Sequence, residues 1–401
     1  MKIDMVSEHA SPLAVLGGVD AGGQNVHVAE LARAIGRQGH EVVVHTRRDD
    51  PLLPARVQFD DNVWVEHVDA GPAAPIPKDE LWPHMPQLGR QLSRRWREDR
   101  PDAVHSHFWM SGSAALAAAR PLGIPVAHTY HALGVVKRRH QGVADTSPSQ
   151  RIAIERRLAC AVDRVVATTF EERDELTAMG CDPDRVSVVP CGVDLRHFSP
   201  RGPAERRSTR RRVVVVSRLV ERKGIGNVIT ALTLLPGVEL VVAGGPPAGM
   251  VDDDPEAQRF MHLAGELGVA DRVLLRGAVP REQVPALLRS ADVVACCPWY
   301  EPFGLVAVEA MACGTPVVAS AVGGLAESVI DGRTGLLVPA RRPERIAAAI
   351  SQLLDHEGLR RTLGANGTRR AQRFGWDRIA TETLAVCQEL VGSRPLARRT
   401  A

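Results

Sequence analysis

The stretch Trp299-Tyr-Glu-Pro-Phe-Gly-Leu-Val-Ala-Val-Glu309 decides how the second half of this chain is built. It follows the apolar run Ala291-Asp-Val-Val-Ala-Cys-Cys297, a pattern that predicts a buried strand. Pro302 and Gly304 bend the chain out of this strand, so we expect a helix to begin near Leu305, with its free N–H groups at the carboxyl end of the strand. That helix end carries partial positive charge and suits a phosphate.

Two carboxylates flank this turn. Glu301 is predicted on the loop ahead of the helix, and Glu309 about one turn inside it. Across such a turn, both side chains can face one polyhydroxylated ligand and accept hydrogen bonds from different hydroxyl groups. The alternative is that Glu309 is a solvated helix residue and Glu301 a loop charge, because a pair with this spacing also arises by chance.

Composition and charge exclude several classes of protein. A length of 401 residues predicts two domains. A net charge of +3 argues against a dedicated nucleic-acid binder, and seven cysteines without C-x-x-C spacing indicate neither a disulfide framework nor a zinc site. Met1 to His9 predicts a first strand rather than a signal peptide, and no apolar run is long enough to span a membrane. We expect a cytoplasmic enzyme, and a homo-oligomer remains open.

The N-terminal half opens as strand, glycine-rich loop, helix and strand. Residues 3–7 predict the first strand, and Gly17-Gly-Val-Asp-Ala-Gly-Gly23 the loop. The nicotinamide-dinucleotide fingerprint is absent, and Arg47 and Arg48 stand where a ribose-binding acid is expected. We therefore favour a loop in which Gly22 and Gly23 let backbone N–H groups approach a phosphate.

Further polar candidates follow predicted strands and loops of this half. Lys78 is a lone cation in the proline-rich segment 70–79, and His131 ends the predicted strand Val126–Tyr130. Residues 137–140 form a basic cluster that we expect on a loop. A strand-end histidine is also a common structural residue, so His131 alone is a weak signal.

The second half repeats the alternation of strands and helices. We predict a first domain over 1–198, a polar linker over 199–212, a second domain over 213–375 and a C-terminal helix over 376–401 that crosses back to the first domain. After the strand at Val213, Arg218 and Lys223 lie five residues apart on a strand-to-helix turn, where both can point at one diphosphate. Surface salt bridges are the alternative.

Taken together, these motifs resemble the large Glu-x7-Glu family of retaining glycosyltransferases, the family 4 type. The first half is most similar to the subgroup that holds sucrose synthase, sucrose-phosphate synthase and the inositol-phosphate glycosyltransferase of mycothiol synthesis. The motifs that carry the resemblance are Gly18-Val-Asp-Ala-Gly-Gly-Gln-Asn25, His105-Ser-His-Phe-Trp-Met-Ser-Gly112, His131, Pro190-Cys-Gly-Val-Asp194, Ser217-Arg-Leu-Val-Glu-Arg-Lys-Gly224, and Glu301 with Glu309. The resemblance implies the α/β GT-B fold, two Rossmann-like parallel-sheet domains facing a cleft.

The resemblance also implies roles for single residues. The hexosyl donor is expected to be a nucleotide sugar, UDP-linked by preference and GDP-linked as the alternative. Catalytic roles fall to His131 at the transferred sugar, to Arg218 and Lys223 at the diphosphate, and to Glu301 at the sugar hydroxyls. Glu309 is expected to hold the ribose. Other donor contacts are expected from backbone at Gly22, Gly23, Gly277, Val279, Phe303, Gly304 and Leu305.

The acceptor is the least determined substrate. It is expected to be small and polar, of the inositol-phosphate or fructose-phosphate type, with contacts from Gln24, Asn25, Lys78, Lys137 and Arg151. The inositol-phosphate enzyme's phosphate-binding Tyr and Thr appear here as Phe108 and Ala132, so two hydroxyl groups are missing.

Two further expectations concern metals and other functions. The run Asp252-Asp-Asp254 resembles an Asp-x-Asp metal motif but lies on a Pro/Gly loop, so we expect no metal and no cofactor beyond the nucleotide sugar. A sugar-nucleotide 2-epimerase and a non-catalytic sugar-nucleotide-binding protein remain the alternative functions.

Overall fold

The computed structural model describes residues 1–14 and 22–393. Residues 17–21 of the glycine-rich loop therefore lie outside the described residues, as does the end of the predicted C-terminal segment. The chain divides into two compact units. The described part of the first runs to Gly192 and resumes at Trp376, and that of the second runs from Val193 to Gly375.

The first unit is built on one sheet. Its strands are β1 (Lys2–Val6), β2 (Glu41–Arg47), β3 (Arg56–Asp60), β4 (Val63–Val68), β5 (Ala103–His107), β6 (Val126–Thr129), β7 (Arg164–Ala167) and β8 (Val186–Val188). They lie in the order β3-β4-β2-β1-β5-β6-β7-β8, and every pair is parallel except β3 with β4. The near-continuous apolar runs of β1 and β2 are those expected of strands covered on both faces.

Helices of the first unit connect these strands as crossovers. They are α1 (Gly23–Arg37), α2 (Met85–Glu98), α3 (Trp109–Ala119), α4 (Gly134–Gln141), α5 (Arg151–Ala161) and α6 (Phe170–Ala178). α1 buries Val28, Leu31 and Ile35 against β1 and β2, because these positions recur at helical spacing. The carboxyl ends of β1, β5 and β6 thus meet the amino ends of α1, α3 and α4 along one edge.

The second unit repeats this design. Its strands are β9 (Arg211–Val216), β10 (Val238–Ala243), β11 (Val273–Gly277), β12 (Val293–Cys296), β13 (Val317–Ser320) and β14 (Gly335–Val338). Their order is β11-β10-β9-β12-β13-β14, all parallel. Its helices are α7 (Ile225–Ala231), α8 (Pro255–Glu266), α9 (Val284–Ser290), α10 (Leu305–Ala312), α11 (Gly323–Ser328), α12 (Pro343–Asp355) and α13 (Glu357–Ala371).

The last helix, α14 (Trp376–Gly392), belongs to the first unit. Its apolar face, with Trp376, Ile379 and Leu384, packs into the same core as Val28 and Leu31 of α1. Two parallel-sheet α/β units confirm the predicted fold class.

Two local expectations differ from the structure. The basic cluster 137–140 lies on α4 rather than on a loop, because the helix that Gly134 begins continues through it. Arg211 and Arg212, expected in a linker, are the first residues of β9, where Arg212 is buried and bonded through Nε to Glu239 at 2.7 Å. Within the described residues, no helix is both long and apolar enough to cross a membrane.

Candidate active site

Two loops of the second unit meet at the carboxyl ends of the neighbouring strands β9 and β12. The N–H of Trp299 donates to the carbonyl of Arg222 at 2.8 Å, which ties one loop to the other. Gly224 adopts a left-handed conformation (φ +73°), and a Cβ there would lie 1.9 Å from the carbonyl oxygen of Cys297. Only glycine allows this approach, so the two loops are held in contact.

This contact brings Lys223 and Glu301 together. The ammonium of Lys223 lies 2.5 Å from Glu301 Oε2, and both side chains are about one-fifth exposed. Burial lowers the pKa of Arg222, with the nearby Arg218 adding to the effect and Glu301 opposing it. The two loops carry a cluster of three cations, the exposed Arg218 among them, and the carboxylates of Glu301 and the exposed Glu221, which leaves one positive charge in excess.

The amino end of α10 lies beside this cluster. Gly304 precedes the helix in a left-handed conformation (φ +87°), and its carbonyl accepts from Ala307 N–H at 3.0 Å. The helix begins at Leu305, as predicted. The N–H groups of Leu305 and Val306 precede this first bond and are the kind of donors that bind phosphate oxygens.

Two adjacent glycines, Gly323 and Gly324, also pack against the loop that carries Glu301. Gly324 N–H donates to the carbonyl of Glu301 at 3.0 Å. A Cβ on Gly323 would lie 2.1 Å from that oxygen, and one on Gly324 would lie 2.4 Å from Phe303 Cα. The backbone of Glu301 and Phe303 is therefore positioned by close packing, which the sequence analysis did not anticipate.

Glu309 lies inside α10 and is buried. Its Oε1 accepts from Arg281 Nη1 at 3.1 Å, and Arg281 also stacks over the ring of Phe198. Burial raises the pKa of Glu309, while the Arg281 guanidinium opposes the rise. A ribose hydroxyl at Glu309 would share the carboxylate with Arg281, a partner that the sequence did not indicate.

The predicted donor contacts at Gly277 and Val279 lie four and two residues before Arg281. Gly277 is buried with φ +71°, and its carbonyl accepts from Gly244 N–H at 2.8 Å. Ala278 N–H donates to the carbonyl of Pro246 at 2.7 Å, and Val279 is half-buried. Of the two predicted contacts, Val279 is therefore the more accessible.

In the first unit, His131 lies at the centre of a histidine cluster at the carboxyl ends of β5 and β6. It adopts a left-handed conformation (φ +61°), which is rare for a residue with a Cβ and indicates local strain. Its Nε2 lies 3.0 Å from His107 Nδ1, and its ring centroid lies 4.9 Å from that of His27.

Burial sets the charge of these imidazoles. It lowers the pKa of His27 to about 4 and those of His107 and His131 well below the ordinary value, with the neighbouring histidines adding to the shift at His107 and His131. At neutral pH the imidazoles are therefore uncharged, each with one N–H and one lone pair. His131 can accept or donate a hydrogen bond at a sugar without adding charge there.

The five predicted acceptor residues lie in the first unit and make contacts within it. Gln24 Nε2 donates to Ser7 Oγ at 3.2 Å, and both ends of the Asn25 amide are bonded, to Gly22 N–H and to the carbonyl of Ser11. Lys137 lies 2.9 Å from Asp145 Oδ1. The buried Arg151 donates to Glu155 (2.7 Å), Ser147 (3.1 Å) and the carbonyl of Ala132 (2.6 Å).

The ring of Phe108 lies near two of these cations and near the ring of His9. Arg151 Cζ lies 5.0 Å and Lys78 Nζ 5.8 Å from its ring centroid, and the ring of His9 lies 4.9 Å away. Gly22 and Gly23 lie at the start of α1, with Gly22 as the residue before the helix. The structure thus places Gly22, Gly23, Gln24, Asn25 and His131 along one edge of the first sheet.

Sequence reasoning missed four residues of these groups: His27, Arg222, Arg281 and Glu8. Glu8 is buried and accepts from Ser111 Oγ. Arg222 lies within the motif Ser217-Arg-Leu-Val-Glu-Arg-Lys-Gly224, and Glu8 directly follows the predicted first strand, residues 3–7. The position of each residue in the sequence could therefore have indicated it. Asp254, in contrast, caps α8 by accepting from Ala257 N–H at 2.9 Å, so this carboxylate has a structural role.

Comparisons with known proteins match the two halves of the chain to two family models. Residues 21–197 match the family model described as Glycosyltransferase Family 4, and residues 201–370 match the model described as Glycosyl transferases group 1. Among solved structures, sucrose-phosphate synthase from Thermosynechococcus elongatus has a TM-score of 0.90 at 32% identity and covers 98% of this chain and 100% of that one. Anabaena HepE, solved with UDP and glucose, has a TM-score of 0.74 at 21% identity over 97% of this chain and 99% of its own, and shows the shared fold.

Curated relatives extend over nearly the whole chain. D-inositol 3-phosphate glycosyltransferase of Acidothermus cellulolyticus is 38% identical, over 99% of this chain and 92% of that protein. The protein of the same name from Streptomyces coelicolor is 36% identical, over 96% and 91%. With this identity and coverage, and with both family models matched in order, the chain belongs to glycosyltransferase family 4.

Proposed function

We propose that this glycosyltransferase transfers a hexosyl unit from a nucleotide sugar to a small polyhydroxylated acceptor, with retention of anomeric configuration and without a metal. The observation that carries the proposal is the cation cluster of Arg218, Arg222 and Lys223 beside the amino end of α10. A UDP-sugar is the preferred donor and a GDP-sugar the alternative.

The cluster matches what cleavage of a sugar–diphosphate bond requires. Negative charge builds on the departing phosphate as the bond breaks, and fixed donors aimed at it lower the barrier. Arg218 and Lys223 supply charge from one loop, and the N–H groups at Leu305 supply dipoles from the other. This charge does the work that a divalent cation does in other phosphate-transfer sites, which supports metal independence.

Glu301 serves as both orienter and sugar ligand. One carboxylate oxygen is bonded to Lys223, and its backbone carbonyl is held by Gly324. The other oxygen can accept from a sugar hydroxyl. We assign no covalent nucleophile and propose front-face attack, in which the leaving phosphate takes the proton of the acceptor hydroxyl while the new glycosidic bond forms on the same face.

The curated relatives and the similar solved structure support different acceptors. Relatives named for D-inositol 3-phosphate support a phosphorylated cyclitol. Sucrose-phosphate synthase, the similar solved structure, supports a fructose phosphate. Arg151 and Lys137 are already paired with Glu155 and Asp145, so a phosphate must share these cations with resident carboxylates.

Nucleotide release tests the proposal. The full chain, with EDTA present, is incubated with UDP-, GDP- and ADP-sugars against inositol phosphate, fructose 6-phosphate, fructose and no acceptor. We expect release from one donor only when its acceptor is present, and NMR of the product should show the donor's anomeric configuration. Release that requires an added divalent metal would overturn metal independence, and acceptor-free conversion of a UDP-sugar to its 2-epimer would replace the transferase with an epimerase.

A further inference from the structure

Three histidines of the first unit converge on one point. One nitrogen from each of His27, His107 and His131 lies within 4.8 Å of the others, and this is the group among the described residues whose histidine, cysteine or carboxylate atoms are arranged to hold a metal ion. The closest pair, His107 Nδ1 and His131 Nε2, is 3.0 Å apart. Tetrahedral zinc with bonds of about 2.0–2.1 Å places its nitrogen ligands roughly 3.4 Å apart, so a small outward movement of the two rings lets this hydrogen-bonded pair share an ion.

The hydrogen bonding of the cluster is incomplete. His27 Nδ1 is buried without a hydrogen-bond partner within the described residues, and so is His107 Nε2, the other nitrogen of the ring whose Nδ1 faces His131. Buried polar atoms are normally paired, and an unpaired one requires an explanation such as a bound ion. Leaving His27 Nδ1 buried and unpaired costs free energy, which a bound ion would offset.

The electronic state of the cluster suits a metal. Burial lowers the pKa of all three histidines, so no proton competes for the lone pairs at neutral pH. Neutral imidazole nitrogens are preferred ligands of zinc, copper and nickel. The surroundings also support the ligands, because the ring of Trp376 packs edge-on against His27 at 5.3 Å, and His105 lies under His107 at 4.2 Å.

We propose that His27, His107 and His131 form a binding site for a d-block divalent cation such as Zn²⁺, with His131 on the open side. His27 and His107 are buried, whereas His131 is half-buried, so the fourth coordination position faces the solvent-accessible side of the cluster. A three-histidine site with one open position is a stable arrangement for zinc.

Occupation of this site has a consequence for transfer, and that consequence rests on the proposed function. A metal bound through His131 Nε2 fixes the imidazole that is proposed to contact the transferred sugar and places positive charge beside it. The ion therefore inhibits a transferase that needs no metal, and chelation restores the activity.

Direct binding tests the site independently of activity. The full chain is stripped with EDTA, desalted and titrated with ZnCl₂ by calorimetry in a non-coordinating buffer. We expect one saturable site, with the affinity lowered by about 100-fold or more in His27→Phe. His262→Ala is the matched control, because His262 is exposed and pairs with Glu266 on the surface of α8. That variant should keep the high-affinity site.

A second measurement needs no variant. Co²⁺ added to the stripped wild-type chain should give the visible absorption bands of a tetrahedral nitrogen-ligated site, and Zn²⁺ should abolish them. Unchanged zinc affinity in folded His27→Phe, or no saturable binding to the wild type in the micromolar range, would overturn the proposed site. Where transferase activity is measurable, Zn²⁺ should inhibit the wild type and should not further inhibit His27→Phe, each compared with its own activity in EDTA. Equal inhibition of the two would also overturn it.

Discussion

Lys223 Nζ and Glu301 Oε2 lie 2.5 Å apart, although the two residues come from different loops at the ends of β9 and β12. The pair exists because these strands are neighbours in the second sheet, and because Gly224 lets one loop pack on the other. Charge from the first loop is thereby set beside the carboxylate of the second. The site is thus formed by strand order and glycine packing together.

Removing this ammonium should slow transfer far more than it weakens donor binding. In Lys223→Met, kcat should fall by about 10²–10³-fold, the cost of losing one donor at a developing negative charge. Lys223→Arg keeps the charge and should retain more activity. Arg259→Met is the control, because Arg259 is exposed and pairs with Glu256 on α8. Steady-state kinetics with the donor found in the nucleotide-release experiment tests this prediction. An unchanged kcat in folded Lys223→Met would show that Lys223 has no role in catalysis.

Substitutions at Gly224 and Gly237 distinguish two causes of lost stability, the left-handed backbone conformation and the steric overlap of an added Cβ. Both have a positive φ, +73° and +71°, but a Cβ meets Cys297 only at Gly224, and Gly237 has nothing within 4 Å. Gly237→Ala should therefore cost about 1–2 kcal/mol, the left-handed penalty alone.

Gly224→Ala adds the backbone overlap and should cost more than about 4 kcal/mol, or prevent folding of the second unit. Denaturant unfolding of the two variants provides the comparison. Equal losses of stability would show that the loops are not held in the contact described.

The sequence predicted what local pattern controls. The bend at Gly304, the helix start at Leu305 and the strand-end position of His131 all depend on residues close in the chain, and all three were confirmed by the structure. The roles assigned to the site residues stay predictions.

What the sequence could not give depends on strand order and on long-range packing. Nothing local to Glu309 indicates Arg281, since the two meet only across the folded sheet. His27 reads as a polar position on α1, and it is buried partly because Trp376 of α14 covers it. The helix through residues 137–140 was missed because a run of charges resembles a loop.

Acid should destabilise the first unit through His128. This histidine is fully buried, and burial lowers its pKa to about 3, although its bond to Ser106 opposes the shift. Below the ordinary pKa of 6.5 the unfolded chain binds a proton that the folded chain does not, so stability falls as the pH drops from 6.5 toward 3, by up to about 1.4 kcal/mol per pH unit.

The asparagine variant isolates this histidine. His128→Asn retains a polar atom near the position of Nδ1 and does not titrate, so the dependence of its unfolding free energy on pH should be flatter between pH 6.5 and 5. His262→Asn, which changes an exposed histidine, should leave the slope as in the wild type. Unfolding is measured with EDTA present, and identical slopes for His128→Asn and wild type would contradict the assignment.

Two missing hydroxyl groups should decide how the acceptor is chosen. The ring of Phe108 lies near both Lys78 and Arg151, and the carbonyl of Ala132 accepts from Arg151. The resemblance to the inositol-phosphate enzyme implies a phosphate-binding Tyr and Thr at these two positions. A hydrogen bond to a charged group contributes about 1.5–3 kcal/mol, and 1.4 kcal/mol is a factor of ten. In Phe108→Tyr with Ala132→Thr, kcat/KM for a phosphorylated acceptor should therefore rise by about 10–100-fold relative to the unphosphorylated one.

Phe170→Tyr adds a hydroxyl on the exposed face of α6 and should leave this ratio unchanged. A parallel rise for both acceptors would mean that the hydroxyls act on the fold or on the sugar, and that the cations near Phe108 do not bind a phosphate.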